Sequence, residues 1–371
     1  TAAWGKRVST SDRKRQPSAS TNDRQDRSTM WWWLCALLAA FVAFVAYLML
    51  FYKRGERQRV DGAVFVTGCD SGMGETIAFA LAAEGYDVYA ACYMKESCAR
   101  FSAWTAPPSA KGAVITPLVL DVSDDAAVAA AATTVAAKLG ARGGARSKLY
   151  GVIQCAGIAA CGPAEYLPVK YYRQQMAVNF HGYVAVAQAF LPLLKRSATA
   201  RDATRRGRMA FIGTGGGVPG VSAPFITAYM ASKWAGEAYS QGLRLELRMR
   251  NVPIDVCHIN PGHIKPTKLI ENGIAFVKRV FAELPAAVGE QYGSMFDAFV
   301  KFNQETPGTH VREVGKTAIE IMAAGHLRVR YRVGFDSYAG QVVGLLPTGA
   351  REWLLRNTMY AHYEGPPRVA F

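Results

Sequence analysis

The chain has 371 residues, half of them hydrophobic and 19% charged, with a formal net charge of +15. That balance excludes a disordered or low-complexity scaffold and suits one large domain or two modest ones. Seven cysteines without a C-x-x-C pair, and six histidines (His181, His258, His263, His310, His326, His362) without H-x-x-x-H spacing, argue against a disulfide framework and a zinc site.

Residues 1–29 are polar and Ser/Thr/Arg-rich with no hydrophobic period, and read as a disordered basic tail. The first residue is Thr1, which fits removal of a targeting presequence and equally an incomplete gene sequence. A partner protein is the expected occupant of this tail, with folding back onto the chain's own domain as the alternative. Trp31 to Tyr52 is a run of 22 residues without charge, Gly or Pro. As a helix it would reach about 33 Å, enough to cross about 30 Å of hydrocarbon. Trp31, Trp32, Trp33 and Tyr52 have the character of interfacial anchors, and Lys53, Arg54, Arg57 and Arg59 form a basic collar. One transmembrane helix is therefore expected over 30–53, with the lipid bilayer as its partner and a mitochondrial inner membrane preferred to endoplasmic reticulum. Residues 1–60 hold eleven Lys/Arg against four Asp/Glu, so much of the positive charge belongs to this segment. Without interleaved aromatics or a recognition module, it does not indicate nucleic acid.

A Rossmann-type domain is expected over 61–267, with a substrate lid and C-terminal extension over 268–371. Ala63-Val64-Phe65-Val66 reads as a strand that runs into Thr67-Gly68-Cys69-Asp70-Ser71-Gly72-Met73-Gly74, and a helical pattern follows from Thr76 to Glu84. In a strand–glycine turn–helix, Gly68 allows the tight turn, Gly72 the close approach of a pyrophosphate, and Gly74 the packing of helix on strand. Further strands are expected at Asp87–Cys92, at Val114–Leu120 ending in Asp121, and at Tyr150–Ala156 closed by Gly157, with an Ala-rich helix over 124–139. This alternation predicts an α/β fold, a doubly wound parallel sheet with helices on both faces, preceded by the membrane helix.

Thr67–Gly74 (T-G-x-x-x-G-x-G), Leu120-Asp121-Val122 and Tyr229–Lys233 (Y-x-x-x-K) together resemble a short-chain dehydrogenase/reductase. The stretches 162–182, 188–195 and 328–337 are similar to the branch holding retinol, 17β-hydroxysteroid and D-β-hydroxybutyrate dehydrogenases. The resemblance spans roughly 61–356. It implies NAD or NADP, held by Thr67, Gly68, Ser71, Gly72, Met73, Gly74, Asp121, Ala156, Gly157, Lys233, Pro261 and Gly262. The choice between the two stays open: the second strand ends in Cys92-Tyr93-Met94-Lys95, without an acid for a ribose hydroxyl. Lys95 suits a 2′-phosphate or a solvated loop, and Asp121 suits adenine or a turn.

Tyr229 and Lys233 stand one helical turn apart, on one face. Moving a proton on an alcohol oxygen with a phenol of ordinary pKa about 10 requires a nearby cation, which Lys233 supplies. By the resemblance Lys233 also holds the nicotinamide ribose, Asn179 supports a water relay, and Thr214 stands at the position of a catalytic serine. Thr214 keeps the hydroxyl but adds a methyl that restricts its rotamer. It is followed by Gly215-Gly216-Gly217, in a loop expected to be longer than usual. Gln154-Cys155-Ala156-Gly157 replaces a motif with two asparagines, and Pro266 displaces an expected Thr to 267. Residues 268–308 carry an aromatic stripe (Phe276, Phe281, Phe296, Phe299, Phe302) that suits either a core or an apolar lid over a lipophilic substrate. Ser197–Arg206 reads as a basic inserted loop. Two functions are expected: a membrane-anchored oxidoreductase acting on a lipophilic alcohol such as a retinoid or steroid, or a catalytically weakened accessory subunit of a large membrane complex.

Overall fold

The computed structural model describes residues 61–110, 112–198, 206–215 and 221–359. The tail, the Trp31–Tyr52 run, most of the Ser197–Arg206 insertion and part of the loop after Thr214 lie outside the described residues. Seven parallel strands form the main sheet in the order β3-β2-β1-β4-β5-β6-β9. They are β1 (Ala63–Thr67), β2 (Asp87–Cys92), β3 (Ile115–Val119), β4 (Leu149–Gln154), β5 (Gly207–Ile212), β6 (Ile254–Pro261) and β9 (Arg330–Val333). Every residue of β1, β2, β4 and β5 is buried, as expected for strands covered on both faces. The strand order reverses between β1 and β4, so a crevice opens where the carboxyl ends of those strands part.

On one face, α1 (Gly72–Ala83) and α9 (Arg312–Ala323) pack Ile77, Leu81, Val314, Ala318 and Ile321 against the sheet. On the other lie α3 (Asp125–Arg142), α5 (Gly182–Ser197) and α6 (Thr227–Met249), which bring Val135, Val186, Phe190 and Leu247 together. Phe190 stacks on Phe65 of β1 with ring centres 4.0 Å apart. The short α2 (Cys98–Ser102) and α4 (Val169–Met176) complete this half. Residues 169–197 are long and apolar enough to cross a membrane by composition, but Val186, Phe190 and Leu194 are wholly or almost wholly buried against the sheet, which makes α5 a core helix.

Helix α1 starts at Gly72, four residues before the expected Thr76. Glycine is a poor helix former and reads as loop, yet here Gly72 and Gly74 build the first turn itself. After β6, α7 (Lys268–Glu283) and α8 (Ala286–Glu305) fold over the crevice, and the two-residue strands β7 (Ile264–Lys265) and β8 (Thr309–His310) pair beside it. The aromatic stripe serves chiefly as core: Phe281 stacks on Phe296 at 4.3 Å, Phe225 meets Phe299 at 5.5 Å, and Tyr171 meets Phe276 edge-on at 4.8 Å. The chain continues through α10 (Phe335–Gly344) and α11 (Thr348–Met359).

Candidate active site

The glycine loop closes the amino-terminal side of the crevice. Gly68 has φ +70°, and a Cβ there would lie 2.6 Å from Ala156 Cα. A Cβ on Gly74 would lie 2.1 Å from the Gly68 carbonyl oxygen, a distance no side chain tolerates. The Thr67 hydroxyl accepts from the backbone N–H of Cys155 (3.0 Å) and of Ala156 (3.1 Å), tying β1 to the end of β4. Gln154, in place of an asparagine, is 1% exposed, and neither amide atom has a hydrogen-bond partner among the described residues. An unpaired buried amide costs about 1–3 kcal/mol.

The end of β2 is held from the glycine loop. The Asp70 carboxylate accepts from the N–H groups of Tyr93 and Met94, each at 2.8 Å. Arg100 donates to the Asp70 carbonyl and pairs with Glu75 at 2.7 Å. Lys95 is exposed. Asp121 Oδ1 accepts from Ser123 N (2.9 Å) and Ser123 Oγ (2.6 Å), closing the turn into α3, while Asp124 caps that helix by accepting from Ala127 N. Turn formation is thus the contact Asp121 makes in the described structure. Pro261 ends β6, and Gly262 is packed so closely on Asp336 that a Cβ would meet its carboxylate at 2.0 Å.

Helix α6 brings Tyr229 and Lys233 to the crevice. Lys233 Nζ donates to Tyr183 Oη at 2.8 Å and to the Ile212 carbonyl at 2.9 Å. It lies 5.9 Å from the centre of the Tyr229 ring. Burial lowers the Lys233 pKa to about 8, against a smaller opposite effect from Cys155. Burial also raises the Tyr229 phenol, and a hydrogen bond with the Thr214 side chain works against that rise. Asn179 sits in a π-helical turn (Ala177–His181) between α4 and α5. Its Nδ2 donates to the Ile158 carbonyl and to Ser232 Oγ, and its Oδ1 accepts from Ile158 N, all at 2.9 Å. Ser232 in turn donates to the Tyr229 carbonyl at 2.7 Å. A Cβ on Gly157 would stand 3.3 Å from Asn179 Oδ1 and 3.4 Å from Lys233 Nζ, so the missing side chain leaves room for both.

One turn beyond Lys233, the buried Glu237 accepts from Arg330 Nε of β9 at 2.8 Å and from its Nη2. His258 of β6 brings Nδ1 to 3.1 Å from Glu237 Oε2 and touches Ser240 through Nε2. Burial outweighs the carboxylate and lowers the His258 pKa to about 4, so the ring is neutral.

An open cleft runs from Met73 of the glycine loop to α7 and α8. It is lined by Thr214 and Tyr229, by Met73 and Thr267 near the loop, and by the apolar Ile270, Ile274 and Phe299 with His263 and Asn303. The structure therefore brings Tyr229, Thr214, Lys233, Asn179 and the Gly68–Gly74 loop around one crevice, and turns Asp121 toward its own loop. Sequence reasoning missed Ser232, Asp70 and Tyr183. The first two lie inside the motifs already singled out, and Tyr183 had no local signal.

The short chain dehydrogenase family matches residues 62–275. Human 17-beta-hydroxysteroid dehydrogenase type 6 is 30% identical, covering 86% of this chain and 95% of that one. The bovine protein of the same name is 29% identical over 88% and 96%, and mouse retinol dehydrogenase 5 is 29% identical over 82% and 90%. Among solved structures, a short-chain dehydrogenase from Streptomyces avermitilis superposes with a TM-score of 0.60 at 21% identity, covering 81% of this chain and 98% of its own. A Burkholderia phymatum short chain dehydrogenase/reductase in complex with NAD gives 0.58 at 19%, covering 84% and 99%.

Proposed function

The chain belongs to the short chain dehydrogenase family, and on that premise we propose that it is an oxidoreductase interconverting a lipophilic alcohol, of the steroid or retinoid class, and its carbonyl compound with NAD or NADP. The observation that carries this reading is one cleft lined by Tyr229 and Thr214 together with Ile270, Ile274 and Phe299, with the Lys233 ammonium 5.9 Å from the centre of the Tyr229 ring. Relatives named for hydroxysteroid and retinol substrates support the same class.

The glycine cradle suits a dinucleotide: Gly68 and Gly74 stand where any Cβ would clash, and α1 begins at Gly72 inside that loop, as in helix amino-terminal phosphate sites. In this reading Thr67, Gly68, Ser71, Gly72, Met73 and Gly74 hold the pyrophosphate side. Ala156, Gly157, Pro261 and Gly262 line the nicotinamide side, and Lys233 takes the ribose hydroxyls. When bound, the nicotinamide donates or accepts the hydride. Tyr229 gives or takes the hydroxyl proton, Thr214 donates a hydrogen bond to the substrate oxygen, and Lys233 stabilises the phenolate. Asn179 holds the segment after β4 against α6 through Ile158 and Ser232.

The Trp31–Tyr52 run supports single-pass attachment to a membrane. The accessory-subunit reading and a mitochondrial inner-membrane location draw no support from relatives that are all named as dehydrogenases. The test is turnover of a hydroxysteroid and retinol panel by the full chain in detergent with NAD and NADP. Tyr229→Phe is expected to lower kcat about 10²- to 10⁴-fold while leaving dinucleotide affinity unchanged. Equal rates in variant and parent would remove Tyr229 from the chemistry.

A further inference from the structure

The Lys233 ammonium does not face Tyr229 alone. Tyr183, at the start of α5, is 2% exposed, and its hydroxyl accepts from Lys233 Nζ at 2.8 Å while donating to the Ile212 carbonyl at 2.5 Å. Lys233 Nζ reaches the same carbonyl, so ammonium, phenol and strand end form a closed triangle. Nζ lies 5.1 Å from the centre of the Tyr183 ring and 5.9 Å from that of Tyr229: two phenols flank one cation. The neighbourhood makes room for the second. A Cβ on Gly236, three residues after Lys233 on α6, would meet the Tyr183 ring at 3.1 Å, and Phe211 of β5 packs across that ring at 5.3 Å.

We infer that Tyr183 is a positioning residue for the proposed reaction: its hydroxyl fixes the Lys233 ammonium at the end of β5 and thereby sets the pH range over which Lys233 supports Tyr229. This rests on the oxidoreductase reading for its catalytic consequence, but not for its effect on Lys233. A charged donor buried without an acceptor is costly, and each acceptor that remains favours the protonated amine. Ile212 supplies one acceptor, through its backbone, and Tyr183 supplies the other. The titratable groups that also face Lys233 are Cys155 beyond β4, Tyr229 on its own helix with its ring centre 5.9 Å from Nζ, and His258 of β6. Cys155 is pushed up to about 12 and His258 down to about 4 by burial, so both are neutral around the Lys233 titration. Tyr183 itself is raised by burial and stays protonated.

The test uses the full chain in detergent and Tyr183→Phe, which keeps the ring and removes the hydroxyl. NADH or NADPH affinity, followed by nicotinamide fluorescence from pH 6 to 10, reads Lys233 without turnover. Loss of the acceptor destabilises the ammonium, so the alkaline fall in affinity is expected to move down by about one pH unit. The acid limb of alcohol oxidation is expected to move up by a similar amount, because the Tyr229 phenolate loses support. Both limbs unchanged in a folded variant overturn the inference. If Tyr183→Phe does not fold, Tyr183→Met repeats the comparison. A ¹⁵N-lysine ammonium signal, assigned by its absence in Lys233→Met, that titrates at the same pH in the parent and in Tyr183→Phe overturns it too. A parent that oxidises no alcohol in the panel defeats the proposed function, and the affinity and ammonium measurements still decide the role of Tyr183.

Discussion

The two sides of the crevice are built differently. The glycine-loop side is shaped by backbone: Gly68 and Gly74 approach other main-chain atoms within distances that leave no space for a Cβ, and the Asp70 and Thr67 side chains accept from main-chain N–H groups. The opposite side is shaped by side chains: Ile270, Ile274 and Phe299 arrive on α7 and α8, long after the loop in sequence. A surface made of main chain recognises what every dinucleotide shares, whereas one made of exchangeable apolar groups is free to differ with the substrate.

Three substitutions measure that division, beginning with the largest expected effect. Gly74→Ala drives a methyl into the Gly68 carbonyl and should cost about 2–4 kcal/mol of stability as well as dinucleotide binding, read by thermal melting with and without NAD(H). Retained affinity would mean that the loop yields and that backbone does not define this side. Thr214→Val, which removes the hydroxyl from the cleft, should lower kcat about 10- to 100-fold with little change in KM, and Thr214→Ser should stay close to the parent. Ile274→Ala, at the apolar wall, should raise KM for a steroid by about three- to ten-fold and leave dinucleotide affinity as it was. A fall in dinucleotide affinity in that variant would erase the distinction between the two sides.

The first side was largely legible because its chemistry is local. The strand Ala63–Val66, the glycines after it and the Asp87–Cys92 strand are read from consecutive residues, and the structure has them where the pattern puts them. The register of α1 was not legible, since glycine signals a loop whether or not the first helical turn passes through it. Tyr229 and Lys233 were found by their spacing. The partners of Lys233 were not, because Tyr183 and Ile212 come from two separate elements and meet it only when α5, α6 and β5 pack together. The lid shows the same limit from the other direction. Its aromatic period was visible, but period alone does not separate a stripe that fills a core, as Phe281 and Phe296 do, from a residue such as Phe299 that also faces the cleft.

The Glu237–Arg330 pair carries a consequence for how the protein comes to be active. Glu237 belongs to the helix of Tyr229 and Lys233, and Arg330 to the last strand of the sheet. During synthesis the helix is complete at Met249, roughly eighty residues before its counter-charge Arg330 exists, and until then the Glu237 carboxylate has only the Gln241 amide and, once β6 is made, the His258 ring beside it. The last strand thus supplies the charge that compensates a buried carboxylate on the helix of Tyr229 and Lys233, so a nascent or truncated chain ending short of Arg330 lacks the ion pair that ties that helix to the sheet edge.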